Sequence, residues 1–162
     1  MSHTVTVTRT TTTTTTAALI LNIGYLKTWP GIFKIFQLLL GIVNVGLVGY
    51  YYNERYITVP ATFFLLMAVT FLIGTFLILL SCLASISTAS IIAKTFYEFI
   101  YHLFAFVLYI AASLTLLVHL NQYKRSYYYV YDEYMAASVI GLIVSVLYLL
   151  SAIFAYRSYK SV

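Results

Sequence analysis

Two residues in the stretch TFYEFIYHLFAFVLYIAASLTLLVHL, Thr95 to Leu120, stand out from their neighbours. Glu98 and His102 lie one helical turn apart inside a run long enough to cross a bilayer, for which roughly 20 apolar residues suffice. A charge in such a run is costly, so it faces protein, water or a partner charge. The chemistry to look for is therefore ion pairing. A cation is available in GIFKIFQLLLGIVNVGLVGY, Gly31 to Tyr50, which carries Lys34, Gln37 and Asn44. If these two helices run in the same direction, Lys34 and Glu98 each lie about three residues inside, near 5 Å at ~1.5 Å per residue. Gln37 and His102 follow one turn deeper. The spacing predicts two stacked polar layers, Lys34–Glu98 and Gln37–His102, and Gly41 and Asn44 continue the same face of the first helix. Two simpler arrangements stay open. Lys94, four residues before Glu98, would make a local pair, and Lys34 would then snorkel to headgroups. A pair this shallow suits holding helices together rather than relaying protons across a membrane.

Other chemistry finds little support. The four acids are Glu54, Glu98, Asp132 and Glu133, and the three histidines are His3, His102 and His119. The histidines fall in the N-terminal tail and at opposite ends of one helix, so they cannot jointly form a metal site within one chain. There is no Gly-rich phosphate loop and no serine with a base at a diagnostic spacing. The expectation is a protein that is not an enzyme and has no cofactor. The single cysteine, Cys82, excludes an intramolecular disulfide. Its position near the end of a span suits S-palmitoylation; otherwise it is a small buried hydrophobe.

The elements that must position these residues follow from composition. The 162 residues are 62% hydrophobic and 8% charged, whereas soluble domains average about 25% charged. This is the composition of an integral membrane protein, all-α, with four transmembrane helices at about residues 31–50, 61–84, 95–120 and 135–156 joined by short loops. Residues 1–23 form a Thr-rich tail, expected to be disordered. Residues 24–160 form the four-span domain, and 161–162 end the chain. Six basic residues fall on the side of the termini (Arg9, Lys27, Lys34, Lys94, Arg157 and Lys160) and three on the other (Arg55, Lys124 and Arg125). This imbalance predicts both termini in the cytosol. The net charge of +5 comes from scattered residues and not from a basic cluster, which argues for anionic lipid and against nucleic acid.

In the fourth span Ala137, Gly141 and Ser145 recur every four residues. Small residues so placed let helix backbones approach, either inside the bundle or in a dimer. The 17 tyrosines include clusters at Tyr50–Tyr52 and at Tyr127, Tyr128 and Tyr129. These read as an aromatic belt, or as an adhesive surface for an apposed membrane. A transporter would show broken helices and repeats, which are absent. A pore would require an oligomer lined by Gln37 and Asn44.

Three segments carry a family resemblance: YLKTWPGIFKIFQLLLG with Lys34 and Gln37, YEFIYHLFAFVLYIAAS in the third span, and AASVIGLIVSVLYLLSAIFAYRSYK in the fourth. Their order and spacing resemble the MARVEL domain family, within it the chemokine-like-factor MARVEL transmembrane group, over roughly Gly24 to Lys160. The resemblance implies a four-helix bundle with cytosolic termini and no shared catalytic residues. It implies work at cholesterol-rich membranes in membrane organisation, vesicle trafficking or the escort of other membrane proteins. The alternative within the family is a cell-junction role. The location implied is the plasma membrane, secretory or endosomal vesicles, or both.

Overall fold

The computed structural model describes residues 22–52, 58–84, 86–93, 95–125 and 129–161. Five α-helices follow a short 3-10 turn at Ile23–Lys27: α1 (Trp29–Tyr50), α2 (Val59–Ala84), α3 (Ile86–Ala93), α4 (Phe96–Gln122) and α5 (Tyr131–Lys160). Four of them, all but α3, are long and apolar enough to cross a membrane. No strand occurs among the described residues. The four long helices form a ring in which α1 packs on α2 and α5, and α4 packs on α2 and α5. Helices α1 and α4 therefore face each other across the diagonal. Residues 1–21 of the Thr-rich tail, Lys94, Tyr127 and Tyr128 lie outside the described residues, while Ile23, assigned above to that tail, opens the 3-10 turn.

Local chemistry explains the helix ends. Thr28 caps α1 by accepting from the Gly31 N–H at 3.3 Å, and Pro30 occupies the first turn, where its missing N–H costs nothing. Helix α5 is longer than the expected 135–156. Asp132 and Glu133 sit in its first turn and Arg157 and Lys160 in its last. Those charges complement the helix dipole, so helix continues past the apolar run on both sides. The connection expected between the spans at 95–120 and 135–156 is thus helical from Tyr131 on.

Side-chain polarity is turned inward. The buried positions of α1 are Gly31, Lys34, Gln37, Gly41, Asn44 and Val48. The exposed side chains between them include Phe36, Leu39, Ile42 and Val43. This is the reverse of a water-soluble helix, and it is what hydrocarbon selects for. Away from the polar layers the core is apolar, built on Val48, Phe64, Leu116, Leu120 and Val144.

Candidate functional site

The polar interior begins at the end of the bundle where α1 and α4 start. Lys34 Nζ donates to Glu98 Oε1 in an ion pair across the diagonal of the ring. Both side chains are almost fully buried, at 1% and 6% exposure. His102 Nε2 lies 3.6 Å from the same carboxylate oxygen. This is longer than a hydrogen bond, and neither ring nitrogen has a hydrogen-bond partner. A lone charge here would cost several kcal/mol, on the order of 3–5. The pair makes the site electrically neutral and ties α1 to α4, which share little other contact.

The second polar layer differs from the expectation. Gln37 does not pair with His102. Its Nε2 donates instead to Ser151 Oγ of α5 at 2.8 Å. The reason is the azimuth of α1: a side chain one turn above Lys34 is rotated toward the neighbouring α5, not the diagonal α4. His102 is left against aromatic rings, with Tyr101 at 5.1 Å and Tyr148 at 5.9 Å between centroids.

Deeper still lie residues that the sequence reading passed over. The Thr75 hydroxyl is 3.0 Å from Tyr101 OH and 2.8 Å from Tyr148 OH. Both tyrosines also donate to the Phe71 carbonyl, at 3.1 and 3.2 Å. Asn44 Nδ2 donates to Tyr109 OH at 3.0 Å. Tyr109 was findable: Glu98, His102, Ala105, Tyr109, Ala112 and Leu116 are the buried face of α4, and they continue the three- and four-residue spacing that Glu98 and His102 begin. Tyr148 and Ser151 sit likewise on the buried face of α5. Mid-span tyrosines cannot belong to a belt at the membrane surface. Beyond Asn44 and Tyr109 the apolar residues Val48, Phe64, Leu116 and Leu120 fill the bundle. The polar interior is thus blind at its far end. Gln37 and Asn44 are buried at 1% and 0% exposure, so they cannot line a pore between subunits.

The near end is covered by the 3-10 turn. The Asn22 N–H donates to the Leu83 carbonyl at 2.8 Å, fastening the turn to the end of α2. The Tyr25 ring lies over Lys34 Nζ, 5.7 Å from its centroid, within cation–π range. Burial is the main reason that the Tyr25 phenol is held well above its ordinary range, with Cys82 and the Glu98 carboxylate adding to it. The close approach requires Gly31, because a Cβ there would meet the Tyr25 carbonyl oxygen at 2.1 Å. A cavity of about 50 Å³ remains between Tyr25, Pro30, Lys34, Glu98 and Ser158.

The other expected sites are placed as follows. Cys82 is 1% exposed, packed with Ile78, Ala89 and Tyr25. Acylation of a thiol needs access, so S-palmitoylation does not fit this burial. Ala137, Gly141 and Ser145 are buried inside the bundle. A Cβ on Gly141 would stand 2.3 Å from Ser113 Oγ and 2.8 Å from Phe64 Cε2. These residues bring α5 onto α4 and α2 and are not free for a dimer contact. Tyr129 is 72% exposed. Among the described residues no group of three His, Cys, Asp or Glu side chains could hold a metal ion.

A family model described as MARVEL, a membrane-associating domain, matches residues 25–154. The match opens at Tyr25 in the covering turn and takes in α1, α2 and α4 whole and α5 as far as Phe154, with their polar interior. No curated protein and no solved structure matches the chain.

Proposed function

The chain belongs to the MARVEL family of membrane-associating domains, and from this membership we propose that it is a non-enzymatic protein working by lateral association in the bilayer. In this reading it organises membrane, moves with vesicles, or escorts other membrane proteins, without a cofactor. One observation supports it most: the polar groups face one another inside a blind bundle, while the long apolar side chains face out. Phe36, Leu39, Ile73 and Phe76 are each about half exposed on α1 and α2, and lipid or another membrane helix is what such a surface contacts. Cytosolic termini, the chemokine-like-factor subgroup and a preference for cholesterol-rich membrane belong to the same reading.

A photo-crosslinking side chain tests it in cells. Placed at Leu39 or Phe76 it captures lipid or membrane proteins; placed at Ala68, which is fully buried, it yields only internal adducts. Equal capture from all three positions contradicts lateral association. A junctional role is the second reading, favoured by the exposure of Tyr50 at 83% and Tyr129 at 72% at one end of the bundle. Alanine at Tyr127, Tyr128 and Tyr129 lowers cell adhesion in that reading and leaves it unchanged in the first.

A further inference from the structure

We propose that the end of the bundle carrying the 3-10 turn is a docking surface for anionic phospholipid headgroups. In sequence, the only acid at this end is Glu98, and Lys34 neutralises it in the buried ion pair. Lys27 in the turn and Arg157 and Lys160 in the last turn of α5 are exposed. No ion pair among the described residues involves them. Helices α1 and α4 start at this end and α2 and α5 finish here, so their dipoles cancel and the side chains set the net charge. Trp29, Tyr156 and Tyr159 are exposed at the same end, at 64%, 47% and 44%. Indole and phenol rings settle at headgroup depth, which places the three cations where phosphate and carboxylate headgroups lie. A soluble polyanion would have no use for the aromatic rings, whereas a lipid engages both.

The opposite end is an internal control. Lys124 Nζ sits 4.9 Å from the centroid of the Tyr131 ring, and Asp132 and Glu133 lie in the first turn of α5, which Tyr131 opens. In sequence, Arg55, Lys124 and Arg125 are matched there by Glu54, Asp132 and Glu133. That end has no excess of either sign to attract an anionic lipid.

Electron spin resonance on the full-length chain in phosphatidylcholine vesicles tests this, with trace spin-labelled phosphatidylserine or phosphatidylcholine as the probe. A basic side chain near an anionic surface favours binding by up to about fivefold. The motionally restricted fraction should therefore favour phosphatidylserine by roughly threefold or more. The preference should fall by at least half in Lys27→Gln/Arg157→Gln/Lys160→Gln, since Arg9 and Lys94 remain on that side in sequence. It should persist in Lys27→Arg/Arg157→Lys/Lys160→Arg and in Lys124→Gln/Arg125→Gln. For the unaltered protein it should fall as salt shortens the Debye length from about 10 Å to about 3 Å. Equal restriction of the two lipids by the unaltered protein overturns the proposal, as does full preference in the glutamine triple variant. Loss of a co-isolating acidic protein from that variant, without lipid preference in the unaltered chain, marks a protein interface and also overturns it.

Discussion

A lysine at 1% exposure in an apolar helix persists only because Glu98 meets it. Removing one partner leaves the other charge buried and unpaired, so Lys34→Met and Glu98→Gln should each destabilise the bundle by about 3–5 kcal/mol. Unfolding in detergent measures this. The swap Lys34→Glu/Glu98→Lys should recover much of the loss, and a double variant as unstable as the singles would contradict the pairing. Tyr25 offers a second residue-scale test through the single cysteine. Because the turn covers Cys82, Tyr25→Ala should raise maleimide labelling of that thiol several-fold at neutral pH, read by mass shift. Unchanged labelling would mean that the turn does not shield it. Depth counting along two helices places Lys34 and Glu98 in one layer, because rise per residue is nearly constant. It does not give the azimuth, which is why the Ser151 partner of Gln37 was invisible. A polar side chain says that it needs a partner, not which helix supplies one.

At the scale of the helix, the apolar runs alone locate four spans, since hydrocarbon leaves the backbone no other partner than its own turn. The ends are harder to place because capping and charge, not hydropathy, decide them; α5 reaches back to Tyr131 for that reason. Small residues show the same limit. Spacing marks Ala137, Gly141 and Ser145 as a contact face, and only the structure shows that Ser113 and Phe64 fill it. Gly141→Val should therefore destabilise the bundle by about 1–3 kcal/mol through overpacking. Gly46→Val should be neutral within about 0.5 kcal/mol, since nothing lies within 4 Å of a Cβ there. Thermal unfolding of both variants checks the contrast. Equal melting temperatures would show that α5 has room to move away from α2 and α4.

For the whole molecule, a closed polar interior and an apolar outer wall are what support the proposed lateral association. The family match defines what sort of domain this is, and the fold it implies was legible in the ordered landmarks of three spans. The partner was not legible, because apolar surfaces of similar composition serve many partners. The measurement that bears most directly on the account is localisation of a C-terminally tagged copy in polarised epithelial cells, with staining under selective permeabilisation. The account predicts a tag reached only when the plasma membrane is opened, on moving vesicles and at the plasma membrane together with the proteins or lipids it accompanies. A tag stained on intact cells would contradict the proposed topology. A tag on neither vesicles nor the plasma membrane would contradict the proposed role in organising and trafficking membrane.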